Sequence, residues 1–374
     1  MAKETVGLAA QAPATEEIAI EGFDHVEFYV GNALQASYYF HKGFGFDVVG
    51  YRGLETGERD LSSYVLKQKN IQLVLTSSLH PDTEIARHVS NHADGVKSIG
   101  FRVLDARKSY ETALSRGAVG IAPPCQIEDE NGSFVSAAIR TYGDTVHTFI
   151  ERHNYKGSFP GYKAIDKKGN AQLGLLVIDH IVGNVENAAM EYWAEFYQRV
   201  FGFHVLQYFD AGDISTQYSA LISKVMANKS RTVKMPINEP AEGARKSQIQ
   251  EYLDYYRADG VQHIAVTTGD IIKTVSALRA SGIDFLSVPR SYYEALTERV
   301  GKIDEDIDVL SRLGILVDRE AGGYLLQIFT KPVQDRPTLF FEIIQRKGAQ
   351  GFGKGNFKAL FESIEREQAL RGNL

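Results

Sequence analysis

Asp24-His25-Val26 followed by Val30-Gly31-Asn32 returns later in the chain as Asp179-His180-Ile181 followed by Val182-Gly183-Asn184. Phe44-Gly45-Phe46 with Tyr51 returns as Phe201-Gly202-Phe203 with Tyr208, at an offset of about 155 residues. Further along, Asp94-Gly95-Val96 is echoed by Asp259-Gly260-Val261, and Glu151-Arg152 by Gln345-Arg346. An internal repeat fixes architecture before any local reading does, and 374 residues suffice for two domains of ordinary size. Laid over one another, His25 matches His180, Ser98 falls where the later copy has His263, and Thr148 falls where it has Glu342. Two histidines and a carboxylate in the second copy face one histidine and two hydroxyls in the first.

Apolar periodicity divides each copy into two β-α-β-β-β units, which makes the chain α+β. The boundaries read as a flexible leader over 1–18, an N-terminal domain over 19–154, a linker over 155–174 rich in glycine and lysine, and a C-terminal domain over 175–374. Ser287 to Val317 is an insertion without a counterpart in the first copy. Phe357, Leu360, Phe361 and Ile364 form an i, i+3, i+4, i+7 stripe, which predicts an amphipathic C-terminal helix packed on the mouth of its domain.

A net charge of −6 with no Lys/Arg run argues against a nucleic-acid partner. The single cysteine, Cys125, excludes an intrachain disulfide. No apolar run reaches the roughly 18 residues of a membrane span, and the amino terminus lacks a signal-peptide pattern. A cytoplasmic protein without membrane partners is the expectation.

An open oxygenase-type iron site needs two neutral imidazoles and one carboxylate on one face of the metal. Of ten histidines only His180, His204 and His263 lie beyond the linker. His180 and His263 occupy equivalent places in successive units, and Glu342 stands inside the apolar run Leu339-Phe340-Phe341-Glu342-Ile343-Ile344. A carboxylate in such a strand is costly to bury unless paired or metal-bound. Singly, each has a plainer reading, as a strand-end histidine bonded to backbone or a glutamate turned to water; jointly they predict a metal site in the second domain alone. His204 reads as a surface residue.

Several stretches then carry a family likeness: Asp179-His180, Pro236-Ile237-Asn238-Glu239-Pro240, Lys246-Ser247-Gln248-Ile249, Gly260-Val261-Gln262-His263, Tyr324 through Pro332, Phe340-Phe341-Glu342 through Arg346, and Gly351 through Phe357. In these the chain resembles the 4-hydroxyphenylpyruvate dioxygenases of the vicinal oxygen chelate superfamily, from Gly22 onward. The resemblance implies two tandem vicinal-oxygen-chelate domains, each an open barrel-like sheet, the first non-catalytic. It implies one Fe(II) per chain on His180, His263 and Glu342, with O2 as co-substrate. An aromatic 2-oxo acid would supply its own electrons, so no 2-oxoglutarate is needed. Ser223, Asn238, Gln248, Gln262 and Gln327 would be polar pocket contacts, and Phe329, Phe340, Phe352 and Phe357 aromatic walls, the last two on a glycine-hinged lid. The family forms dimers or tetramers, so a homodimer is expected. Hydroxymandelate synthase shares ligands and substrate but hydroxylates the benzylic carbon, and has a smaller aliphatic residue where Phe329 stands. A duplicated module that only sequesters a small ligand is the remaining alternative.

Overall fold

The structure is a computed structural model that describes residues 16–169, 173–212, 215–216 and 218–373. Most of the leader therefore lies outside the described residues.

The first domain is β1 (Ile20–Tyr29), α1 (Ala33–Gly43), β2 (Asp47–Arg52), β3 (Leu61–Gln68) and β4 (Ile71–Ser78), then α2 (Glu84–His92), then β5 (Gly95–Val103), α3 (Ala106–Ser115), β6 (Gly120–Asp129), β7 (Gly132–Arg140) and β8 (Val146–His153), closed by β9 (Lys163–Lys167). The second repeats the plan with β10 (Leu175–Asn184), α4 (Met190–Phe196), β11 (His204–Phe209), β12 (Ala220–Ala227) and β13 (Lys234–Ala241), then α5 (Gln248–Tyr256), then β14 (Gly260–Thr268) and α6 (Ile271–Ala280). The insertion folds as three short helices, α7 (Ser291–Glu294), α8 (Leu296–Val300) and α9 (Ile307–Leu313), before β15 (Leu316–Glu320), β16 (Gly323–Phe329), β17 (Phe340–Lys347) and α10 (Lys354–Leu370). Helices start where short polar caps stand: Asn32 for α1, Asp105 for α3 and its counterpart Asp270 for α6 each accept a backbone N–H of the first turn.

The first sheet runs β6-β7-β8-β5-β1-β4-β3-β2-β9, and the second, read from its other end, repeats that order as β15-β16-β17-β14-β10-β13-β12-β11. Each curls into a half-barrel around a central antiparallel pair, β1/β5 or β10/β14, flanked by parallel neighbours. Register fixes how the copies correspond. Val30 donates its N–H to Thr76 and Val185 to Asn238, while Gly31 and Glu186 donate theirs to Asp94 and Asp259. Val30 therefore corresponds to Val185, and the match of Val30-Gly31-Asn32 to Val182-Gly183-Asn184 is corrected by three residues: a conserved-looking triplet is outweighed by strand pairing. The stretch read as a linker is also more than a connection, since β9 pairs with β2 and extends the first sheet.

One apolar core runs through both halves, with Phe40 and Phe44 against Phe341 at centroid distances of 5.7 and 5.2 Å, and Phe101 against Phe201 at 5.6 Å. Burying each such ring stabilises by about 1.5–3 kcal/mol, so the domains are one packed body. His147 is sealed in this seam, sharing a 2.8 Å hydrogen bond with the Tyr197 hydroxyl. Burial holds its pKa down at about 3, against 6.5 ordinarily. A histidine depressed in the folded state contributes stability that is present above pH 6.5 and lost as pH falls toward 3, because over that window only the unfolded chain takes up the proton. The loss should approach about 1.4 kcal/mol per pH unit. Urea unfolding at stepped pH should show this slope in the parent and a shallower one in His147→Gln; equal slopes would refute it.

Candidate metal centre

Strand parity builds the site. Val182 pairs with His263 and His180 with Ala265 across β10/β14, while Ala265 pairs with Glu342 across β14/β17. Paired residues and residues two apart share a face, so His180, His263 and Glu342 point into the same concavity. Both histidines sit within their strands rather than at strand ends, so the plainer strand-end reading does not hold. Two register slips add the supporting groups, since a bulge turns neighbouring residues toward the same side. One falls at Asp179, beside His180, and the other at Gln262, beside His263.

Glu342 Oε2 lies 3.2 Å from His180 Nε2 and 3.5 Å from His263 Nε2, and all three side chains are buried. His180 donates from Nδ1 to Asp179 at 2.8 Å and His263 from Nδ1 to the Gln262 side-chain amide oxygen, Oε1, at 3.0 Å. These bonds commit both Nδ1 atoms, so Nε2 is in each ring the nitrogen that faces the carboxylate and through which a metal would be bound. Burial works against ionising Glu342, but the charge and hydrogen bond of His180, then those of His263, hold it at about 2. Burial also disfavours charge on His180, yet Glu342 and Asp179 raise its pKa above the ordinary value, whereas burial dominates at His263 and lowers it. Asp179 is anchored by Lys234 at 2.9 Å and by the Arg346 guanidinium through two 2.8 Å bonds. Two oriented imidazoles and one ionised carboxylate on one face are a fitting donor set for a divalent transition metal with open positions.

The triad floors a cavity whose walls are mainly apolar and aromatic with a few convergent polar side chains, the make-up of a small-molecule site. Ser223, Asn238, Gln248, Gln262, Gln327, Phe329, Phe352 and Phe357 all line it. Phe340 does not; it stacks on His263 at 4.9 Å and faces an adjoining cavity.

The N-terminal model of hydroxyphenylpyruvate dioxygenase matches residues 15–165, and the model of the glyoxalase/bleomycin resistance protein/dioxygenase superfamily matches residues 177–328. The 4-hydroxyphenylpyruvate dioxygenase of Dictyostelium discoideum is 50% identical over 95% of this chain and 100% of its own length. That of Caenorhabditis elegans is 49% identical over 94% and 93%. The chain belongs to the 4-hydroxyphenylpyruvate dioxygenase family. A solved variant of 4-hydroxymandelate synthase from Streptomyces coelicolor superposes with a TM-score of 0.84 at 30% identity, covering 94% of this chain and 100% of that one, and is thus the more distant relation in sequence.

Within this family member the first domain keeps the register of the second but not its ligands. Ser98 and Thr148 hydrogen-bond to each other at 2.7 Å where His263 and Glu342 stand in the second domain. The His25 ring lies over Gly100, at a spot a Cβ would fill; Ala265 occupies the paired position beside His180. The segment after β8 plugs the first cup. Arg152 binds the Ser158 carbonyl and Phe159 packs edge-on to His25 at 4.9 Å, as Arg346 binds the Gly351 carbonyl and Phe352 packs on His180 at 4.9 Å. The Tyr162 hydroxyl then donates to Ser63 at 2.8 Å, and Ser63 is the counterpart of Ser223.

Sequence reading missed the apolar wall of Val182, Leu221, Val225 and Pro236, although each lies two residues from a chosen one in an alternating strand. It also missed Asn356, which donates to Gln327 at 3.1 Å while Gln327 donates to Glu342 at 3.3 Å. His204 is half-buried at the start of β11, on the edge strand of the sheet.

Proposed function

We propose that this chain converts 4-hydroxyphenylpyruvate and O2 to homogentisate and CO2, with one Fe(II) held by His180, His263 and Glu342. The observation that carries the reading is the buried two-histidine, one-carboxylate face at the floor of an aromatic-walled cavity. The iron, when bound, supplies a chelation point for the 2-oxo acid and the means of activating O2. Homogentisate and CO2 together contain every atom of the keto acid and both oxygens of O2, so no second keto acid is required as reductant.

The chain's own residues hold and orient. Asp179 and Gln262 keep both imidazoles presented through Nε2. Gln327, fixed at one end by Glu342 and at the other by Asn356, keeps the carboxylate from swinging away. Ser223 and Asn238, paired across β12/β13, take the substrate phenol; the first domain supports this by seating its own phenol, Tyr162, on the equivalent Ser63. Phe329, 6.0 Å from the His263 ring, holds the substrate ring over the metal, and Phe352 and Phe357 exclude water.

Incubation with 4-hydroxyphenylpyruvate, Fe(II) and air, followed by chromatography with mass detection, should yield homogentisate. Absence of O2 uptake would instead indicate a module that only sequesters its ligand. Hydroxymandelate as the sole product would assign the sister chemistry, against which Phe329 speaks. Phe329→Ile should divert part of the product to hydroxymandelate or a partly oxidised ring species with metal content unchanged. A change of about 1.4 kcal/mol between competing barriers alters the ratio tenfold. Homogentisate alone, formed more slowly, would make Phe329 a packing residue and move attention to Asn238.

A further inference from the structure

Away from the triad, α2 carries His88 and His92 at i and i+4, one turn apart on one helix face. Both are buried, at 2% and 4% exposure. The turn between β7 and β8 brings Asp144 against them, so that Oδ2 lies 3.1 Å from His92 Nε2 and 3.6 Å from His88 Nδ1. One ligand atom from each of the three residues falls within 4.8 Å of the others.

The hydrogen bonding of this cluster is incomplete in a particular way. His92 Nδ1 faces the Tyr256 carbonyl, which can only accept. An acceptor there commits Nδ1 to carrying a hydrogen, so Nε2, against the Asp144 carboxylate, is the nitrogen through which this ring could bind a metal. His88, almost wholly buried, has no partner within hydrogen-bond distance at either ring nitrogen among the described residues, the Asp144 carboxylate lying just beyond it at 3.6 Å. The nearby Lys97 ammonium is engaged by Glu84 at 2.8 Å. Three electron-pair donors thus converge on one small volume, with one imidazole otherwise unsatisfied, an expensive arrangement unless something electrophilic stands between them. The same pattern marks the triad, where Nε2 atoms with committed Nδ1 hydrogens face Glu342.

We propose that His88, His92 and Asp144 form a second metal site, for a divalent ion of the zinc class, separate from the Fe(II) centre. Two imidazoles and one carboxylate are a borderline donor set that zinc accepts. Ligand atoms about 2.0–2.1 Å from a tetrahedral ion lie about 3.3 Å apart, between the two distances observed here. The Asp144 side chain is 51% exposed, which leaves a path for the ion and room for water as fourth ligand. The site lies on the domain seam: Tyr256 belongs to α5 of the second domain, and Arg336 from that domain binds the Asn91 carbonyl on α2. An ion there clamps α2, the β7/β8 turn and the second domain together, a structural role that leaves catalysis to the triad.

The test uses the full chain carrying His263→Ala and Glu342→Ala, so that the main site is disabled. Dialysed against micromolar Zn(II), it should retain one equivalent, and Co(II) in its place should give the visible absorption of a tetrahedral ion. Adding His88→Gln or Asp144→Asn should abolish both signals. In the Fe(II)-loaded parent, Zn(II) should raise the melting temperature and bring total metal to two equivalents, and His88→Gln should lose that gain while keeping its turnover. No bound Zn(II) in the disabled chain, or binding that His88→Gln leaves unchanged, would mean an imidazolium–carboxylate pair only and would overturn the proposal. If the disabled chain does not fold, the parent decides: a total that stays at one equivalent overturns it equally.

Discussion

Glu342→Ala, His180→Ala and His263→Ala should each purify folded but without metal and without turnover, whereas His25→Ala should keep both. The contrast follows from register, since His25 stands at the point of the first sheet that His180 holds in the second, while Ser98 and Thr148 stand where His263 and Glu342 would be needed. In the second domain, removing Glu342 leaves two imidazoles and no anionic ligand, and the charge match with a divalent ion is lost. Removing either histidine leaves one imidazole and a carboxylate, too few to hold an open site. A fall in kcat/KM of at least about 10³-fold is expected. In the first domain His25 donates to Asp24 at 3.1 Å, and Asp24 in turn anchors Arg152 through two 2.9 Å bonds. His25→Ala should therefore cost stability, about 1–3 kcal/mol, and nothing in metal. Metal analysis beside thermal melts separates the two effects. Loss of most metal in His25→Ala would overturn the assignment of the centre to the second domain.

The concavity was legible because the features that make it are periodic. A repeat offset, an alternating strand and a glutamate inside an apolar run are one-dimensional signals, and the triad needs only those. What escaped was set by pairing between distant strands. The bulge at Gln262, which turns it to the same side as His263, exists only as a slip between β10 and β14. The correspondence of Phe159 with Phe352 was hidden because one follows a strand into β9 while the other follows a strand into α10, so the composition of the two segments differs although their contacts with His25 and His180 agree. Gln327 was expected as a substrate contact from the family resemblance; it lines the cavity but also bonds to Glu342 on the neighbouring strand and to Asn356 on a helix that begins 27 residues further on. Phe340 was read as a pocket wall, and stacking on His263 makes it instead a support for a ligand ring.

Deleting the chain after Gln350 should leave metal binding measurable and reduce turnover by about 10²-fold or more, with much of the remaining O2 uptake uncoupled from homogentisate. All three ligands precede the cut, but α10 closes the cavity they floor. Phe361 packs with Phe209, Leu221 and Phe352, and Leu360 packs with Phe329 and Phe340. Glu365 accepts from Ser219 at 2.7 Å and from Thr216 at 2.6 Å, and Arg371 pairs with Glu251 at 2.6 Å. The glycines ahead of the helix, expected from sequence to act as a hinge, answer to close packing: Gly353 has φ +73°, and a Cβ there would strike the Gln327 amide oxygen. The helix is thus strapped down along its length, and its loss also exposes buried apolar side chains worth about 2–5 kcal/mol each, so the melting temperature should fall as well. Asn356→Ala isolates the site effect from that instability. It leaves the helix in place but frees Gln327, and through it Glu342, and removes an acceptor of the Tyr292 hydroxyl, so turnover and coupling should drop with a fall in melting temperature far smaller than that of the truncation. Full activity with tight coupling in the truncated chain, or an Asn356→Ala enzyme indistinguishable from its parent, would show that α10 covers the pocket without taking part in holding its geometry.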